Sequence, residues 1–128
     1  MTQVSVRGGR IRNTFSALAS GAIAQYQCVY AYSADRVKAG NNADTTKADI
    51  IGISLAALVD GQRGSFIAEG EIVNNSWSWT AGSELYVGDT GELTQTLASN
   101  GKVICQVGVA LTATKIYISI DKTIIKTA

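Results

Sequence analysis

The side chains able to act as nucleophiles, bases or metal ligands form no catalytic set in this sequence. The chain has 128 residues, two cysteines and no histidine, which excludes Ser/His and Cys/His nucleophile pairs. A zinc site would need both Cys28 and Cys105 together with carboxylates, an uncommon ligand set. Because free cysteine behaves as a small hydrophobic residue, we predict that both thiols are buried. We therefore expect no metal and no cofactor.

One acidic triplet, Asp89-Thr90-Gly91, has the sequence in which aspartic proteases hold a catalytic aspartate. Ile50-Ile51-Gly52 matches their apolar-apolar-glycine element, and a homodimer could pair two Asp89 carboxylates around one shared proton. The order of the two elements is reversed, however, and Asp89 lies between two glycines, where a hairpin turn is expected. We therefore predict a turn at Asp89 and a protein that is not an enzyme.

Two indoles, Trp77 and Trp79, lie on the same side of an extended segment because they are two residues apart. Buried indoles would pack in the core or in a subunit interface. Exposed indoles would form an anchor for a protein partner or a platform for a sugar ring. We expect an oligomer interface at Trp77 and Trp79, with the anchor and the sugar platform as alternatives.

The first 13 residues form a basic, polar arm that contains Arg7, Arg10 and Arg12. Two glycines between Arg7 and Arg10 disfavour a packed strand, and the small apolar residues 15–23 end the arm. A single arginine-glycine-glycine element is weak evidence for nucleic-acid binding. We expect the arm to be solvated or bound to a partner.

The rest of the sequence alternates short β-prone runs with turn residues. In the first core run, 49–57, we place Ile51, Ile53 and Leu55 on one face. The run 103–111 is the second core strand. Its predicted inward residues are Val103, Cys105, Val107, Val109 and Leu111. Strands at intervals of roughly 8–12 residues without a helical period predict an all-β fold, a compact sandwich or barrel-like domain.

The two core strands occupy matching places in an internal repeat. Residues 30–55 align without a gap with residues 86–111, an offset of 56 positions. An even offset keeps the inward and outward residues of each matched strand the same. We therefore predict two related β-units, at about 19–73 and 77–121, although identities are few and chance similarity is the alternative. The matched pairs include Tyr30 and Tyr86, Val37 and Leu93, Gly52 and Gly108, and Leu55 and Leu111.

Length and composition predict one folded domain at 14–128 behind the arm at 1–13. The hydrophobic fraction is 46% and the charged fraction 16%, which argues against a disordered chain. A net charge of +1 predicts no strong attraction to nucleic acid or to a membrane surface. The arginines near the start interrupt any signal-like apolar run, and no stretch approaches the ~20 apolar residues of a membrane helix. We expect assembly in a cytoplasm.

The second unit carries a family resemblance. The segments 80–86, 91–94 and 107–111 read TAGSELY, GELT and VGVAL, and this order resembles small phage capsid decoration (cement) proteins. The resemblance covers roughly 81–120 and, more loosely, the first unit. The basic arm and the Trp-x-Trp pair depart from the pattern, which leaves the mode of attachment open.

The resemblance implies a non-enzymatic, β-rich protein, commonly a homotrimer, that binds the outside of an assembled head and clamps neighbouring copies of the major capsid protein. On that basis we expect a virion protein on the capsid surface, with Arg7, Arg10 and Arg12 facing acidic groups of the capsid. The alternative is a tail or fibre module that contacts the host surface.

Overall fold

Every regular element in the described part of the chain is a β-strand. The computed structural model describes residues 13–98 and 101–120, together with the backbone of a last strand at 124–126. The prediction of an all-β fold is confirmed, and these residues include no helix long and apolar enough to cross a membrane. The strands are β1 (Asn13–Ala19), β2 (Cys28–Ser33), β3 (Arg36–Ala39), β4 (Ile50–Ser54), β5 (Arg63–Val73), β6 (Glu84–Val87), β7 (Leu93–Thr94), β8 (Val103–Ala110), β9 (Lys115–Ser119) and β10 (Ile124–Lys126).

Five strands close into a barrel in the first half of the chain. Their order is β1, β3, β2, β4 and β5, and β5 returns to pair with β1. The β1–β3 pair is parallel, with Leu18 opposite Arg36, and the other pairs of the barrel are antiparallel. The sequence did not indicate β1, because its inward residues, Ala17 and Ala19, are small. β1 also begins at Asn13, the last residue of the predicted arm.

The long strand β5 connects the barrel to the second half. Its first part pairs with β4 and β1, whereas Glu69–Val73 pair with β9. The sheet then continues through β9, β8, β6 and β7, and β10 pairs with the start of β8. Because one strand belongs to both halves, we expect the two halves to fold as one cooperative body.

The apolar interior forms two clusters. The smaller cluster lies among the barrel strands and consists of Ala17, Ala19, Ile23, Val29, Val37, Leu58 and Phe66. The larger cluster joins the two halves. It includes Cys28, Ile50, Ile53, Ile67, Leu85, Val103, Cys105, Val107, Ile116 and Ile118.

The strand pairings recur with the 56-residue offset found in the sequence. Tyr30 pairs with Ile50 on β4, and Tyr86 pairs with Gln106 on β8. One step along, the same offset relates the glycine pairs. They are Val29 with Gly52 and Leu85 with Gly108. At these positions the two halves therefore share one pairing register.

A bulge at the same place in each half corrects the predicted strand faces. Between two successive pairings, β2 advances by one residue while β4 advances by two, from Gly52 to Ile50. Ile51 is therefore the extra residue of the bulge, and Val107 is its counterpart in β8. A bulge reverses the alternation beyond it. Ile51 accordingly packs on the smaller cluster and Ile53 on the larger one, so the prediction of a shared face was wrong.

The same reversal applies to the end of the second core strand. Val103, Cys105 and Val107 are buried as predicted, but Val109 is half-buried and Leu111 is 44% exposed. Ala110 takes the inward place instead. The pattern of apolar residues alone contains no mark of the extra residue.

Candidate binding groove between the two units

Both tryptophans lie on the connection between β5 and β6. Each indole is half-buried and packs against the larger cluster. Their ring centroids are 5.8 Å apart, and the Tyr26 ring meets Trp77 edge-on at 4.9 Å. Such contacts between aromatic rings contribute roughly 0.5–1.5 kcal/mol beyond area burial. The three rings form one wall, which we call the aromatic wall.

Tyr26 reaches this wall through an unusual backbone conformation. Its φ is 67°, in the left-handed region, and the equivalent residue in the second unit is Gly82, with φ of 87°. The local hydrogen bonds also correspond, since Tyr26 N donates to Ser54 O and Gly82 N donates to Ala110 O, both at 2.7 Å. A side chain in this region costs roughly 1–2 kcal/mol, and at position 26 the contact with Trp77 offsets part of that cost.

The aromatic wall borders a groove of about 340 Å³. Three segments meet there, namely the loop 24–27 of the first unit, the β6–β7 turn, and the connection that carries the tryptophans. The lining residues are Ala24, Gln25, Tyr26, Gln27, Trp77, Trp79, Thr90, Glu92 and Leu93.

Gln27 fixes the first-unit loop to the β6–β7 turn. Its Oε1 accepts a hydrogen bond from Ala24 N at 2.9 Å, and its Nε2 donates to Thr90 O at 2.5 Å. Beside it, Cys28 N donates to Gly91 O at 2.7 Å. The bonds to Thr90 and Gly91 join the two units and hold the sides of the groove together.

The turn itself is held by Glu92. Its Oε1 accepts from Thr90 N at 2.9 Å and from Thr90 Oγ1 at 2.8 Å. Glu92 is exposed and is the one charged side chain among the residues that line the groove. The groove is therefore mildly acidic, and no lysine or arginine belongs to its lining.

One polar atom of the wall is unsatisfied. Trp79 Nε1 is buried and has no hydrogen-bond partner among the described residues. A buried donor without an acceptor costs roughly 1–3 kcal/mol, and a buried indole N–H usually has a partner.

The other predicted chemical groups lie apart from this groove or take no part in it. Asp89 lies in the β6–β7 turn, as predicted, exposed and with Lys102 Nζ at 3.8 Å from its Oδ1. The prediction of two buried thiols is confirmed for Cys28 and Cys105. Burial, and secondarily the neighbouring Cys105, raises the pKa of the Cys28 thiol far above its usual range, so this cysteine is a neutral packing residue. The described residues contain no group of three or more potential metal ligands.

The predicted capsid contacts Arg7, Arg10 and Arg12 lie outside the described residues. The oligomer interface predicted at Trp77 and Trp79 stays a prediction. The sequence interpretation missed Tyr26, Gln25, Gln27 and Glu92. Extending the 56-residue offset beyond the aligned range would have given one signal, a tyrosine at position 26 where the other unit has glycine.

Comparison with known proteins gives a structural similarity. No family model matches the chain, and no curated protein matches it. The crystal structure of the head fiber gp8.5 N base of bacteriophage phi29 is similar, with a TM-score of 0.50 and 14% sequence identity. The match covers 90% of this chain and 98% of the phage chain. At that identity the similarity shows a shared fold.

Proposed function

We propose that the protein is a non-enzymatic structural protein of a phage virion and that it decorates the capsid exterior. The observation that carries this proposal is the fold shared with the phi29 head fiber N base over nearly the full length of both chains. The resemblance of the second unit to capsid decoration proteins is an independent support. Fold alone does not fix function, so the proposal rests on the agreement of these two observations.

The proposed mechanism is the addition of interface to an assembled shell. A homotrimer would contact several copies of the major capsid protein, and many modest contacts would make opening of the shell less favourable. The arm would supply the electrostatic part through Arg7, Arg10 and Arg12, which would face acidic groups of the capsid. Since the chain carries a net charge of only +1, nucleic acid and membranes are not the expected partners.

The test is cosedimentation of the purified protein with undecorated phage heads. We expect saturable binding, and we expect the triple variant Arg7→Ser, Arg10→Ser, Arg12→Ser to bind at least about tenfold more weakly, a loss of roughly 1.4 kcal/mol. A matched variant with Lys38→Ser, Lys47→Ser and Lys115→Ser carries the same change in charge and should bind normally. No binding at high protein concentration would rule the proposal out.

The oligomeric state is tested separately. Analytical ultracentrifugation should give a mass three times that of the 13.4 kDa chain. A monomer at the concentration that saturates the heads would contradict the homotrimer while leaving decoration intact.

A second candidate is a fibre module that contacts the host surface. It is favoured by the half-exposed Trp77 and Trp79 and by the fiber named in the similar structure. Labelled protein should then adsorb to host cells, and a Trp77→Ala variant should not. Binding to heads without adsorption to cells would favour decoration over this candidate.

A further inference from the structure

We infer that the groove bordered by Tyr26, Trp77 and Trp79 is a binding site for a neutral carbohydrate. Aromatic rings have flat, apolar faces against which the C–H face of a pyranose ring can stack, and three such rings line this groove. Both indoles are half-buried, so the core holds them in place while part of each ring stays accessible. A rigid, partly exposed wall needs little reorganisation when a ligand binds.

Two residues of the first unit have a left-handed backbone where the second unit has glycine, namely Tyr26 opposite Gly82 and Asp35 opposite Gly91. Aspartate is one of the residues that tolerate this conformation, and of the two only Tyr26 lines the groove. Glycine is the residue that this backbone conformation favours, so the backbone conformation does not explain the tyrosine at this position. Strained backbone positions of this kind cluster at binding sites, and here the strained residue supplies one third of the aromatic wall.

The polar lining selects the class of ligand. Gln25, Gln27, Thr90 and Glu92 line the groove, and part of their hydrogen-bonding capacity is used within the protein. The capacity that remains, which includes Gln25 Oε1, the second N–H of Gln27 Nε2 and Glu92 Oε2, suits sugar hydroxyls. The lining contains no lysine or arginine, so a phosphorylated, sulfated or sialylated ligand would meet Glu92 without a counter-charge. A neutral, hydroxyl-rich sugar ring can stack on the aromatic wall and also form hydrogen bonds with this polar lining.

The unsatisfied Trp79 N–H gives a further reason to expect a ligand with acceptor oxygens. Trp79 Nε1 is buried without a partner among the described residues. A ligand oxygen that reached this N–H would accept a hydrogen bond and remove the penalty of the orphaned donor.

The groove volume limits the ligand. At about 340 Å³ it lies at the low end of small-molecule sites, which span roughly 300–1,000 Å³. One or two sugar rings fit this space, whereas a folded protein partner would need a broader surface. The inference does not depend on whether the protein decorates the capsid or belongs to a fibre, but it requires that Trp77 and Trp79 lie outside the oligomer interface, contrary to the prediction made from the sequence.

Tryptophan fluorescence provides a direct test, because the chain contains two tryptophans and both line the groove. The full chain is titrated with oligomers of glucose and of N-acetylglucosamine, and a printed array of neutral and anionic glycans is probed in parallel. We expect a saturable change in emission with at least one neutral sugar and weaker binding of its anionic analogues.

Tyr26→Gly is the decisive variant, since it keeps both fluorophores and places the favoured residue on the left-handed backbone. We expect it to remain folded, with an unchanged circular dichroism spectrum, and to bind the sugar at least about tenfold more weakly, as should Trp77→Ala. Tyr32→Ala removes a 52% exposed tyrosine outside the groove and should bind normally. No saturable response to any neutral sugar, equal affinity of the folded Tyr26→Gly variant, or preference for anionic glycans would overturn the inference.

Discussion

The two units have the same strand register but end differently. In the first unit, β1 pairs with β3 and closes a barrel over Ala17 and Ala19. In the second unit, β7 is the last strand of the described sheet, and the segment beside the groove carries Trp77 and Trp79. The offset of 56 places Trp79 opposite Ile23, which is 1% exposed within the barrel. In the closed barrel this position is a buried isoleucine, whereas at the open end of the second unit it is a half-buried tryptophan.

The β4–β5 hairpin of the first unit is also longer than the β8–β9 hairpin of the second unit. In the first unit, Ser54 pairs with Phe66, twelve residues on, whereas Ala110 pairs with Ile116, six residues on. The longer hairpin carries Leu58, whose N–H donates to Ile23 O at 2.7 Å and whose side chain joins the barrel cluster. The insertion thus supplies the residue that completes the barrel interior.

The two units agree within their paired strands and differ at the ends of the sheet. The pairing register, the bulges and the positive-φ turns recur in both units, because strand pairing fails when any of them changes. The residues at the ends of the sheet are free of that constraint. The candidate binding groove lies among such residues.

The largest expected effect comes from truncating equivalent core residues, Phe66 in the first unit and Ile116 in the second. Phe66→Ala should destabilise the protein by about 3–5 kcal/mol and Ile116→Ala by about 2–5 kcal/mol. Because β5 belongs to both units, urea unfolding followed by fluorescence and by circular dichroism should give one transition for each variant. Ile116→Val, as a mild control, should cost about 1 kcal/mol. Separate transitions for the two units would contradict the single cooperative body.

The paired bulge glycines should respond unequally to alanine. A Cβ at Gly108 would lie 2.4 Å from Tyr117 O, a backbone atom, whereas a Cβ at Gly52 would lie 2.8 Å from Cε1 of the half-buried Phe15. A ring can turn aside more easily than a paired strand can move, so Gly108→Ala should cost about 3 kcal/mol and Gly52→Ala about 1 kcal/mol. The urea unfolding midpoint of each variant measures its loss of stability. Equal losses in the two variants would show that strand β9 adapts as readily as the Phe15 ring.

Alanine substitutions at two positive-φ glycines of the second unit distinguish the cost of backbone strain from the cost of steric crowding. At Gly82 a Cβ meets no atom within 4 Å, whereas at Gly91 it would lie 2.6 Å from Gly40 O. Gly82→Ala should therefore lose about 1 kcal/mol from backbone strain alone, and Gly91→Ala about 2–3 kcal/mol. Thermal unfolding compares the two, and a larger loss at Gly82 would contradict the crowding argument.

The smallest effect concerns the exposed ion pair of each unit. Arg63 pairs with Asp35 and also donates to Ser16 Oγ at 2.8 Å, so it links β5 to the β2–β3 turn and to β1. Arg63→Ala should cost roughly 0.5–1 kcal/mol, and high salt should reduce the difference from the parent protein. In the second unit, removal of the Asp89–Lys102 contact through Asp89→Asn should cost less than about 0.5 kcal/mol. If the loss of stability in Arg63→Ala did not change with salt, packing of the arginine side chain, and not its charge, would be what stabilises the link between β5 and β1.

The amino-acid sequence was enough to predict the all-β fold, the turn at Asp89 and the burial of both cysteines. Each of these follows from local composition or spacing, which neighbouring strands do not alter. Tertiary structure alone decided the faces beyond Ile51 and Val107, because an extra residue in a strand is visible only against its partner. It also decided the closure by β1, whose small inward residues signal a strand weakly. The groove likewise depends on contacts between Tyr26, Trp77 and the β6–β7 turn, which lie far apart in the chain and meet only when the two units pack.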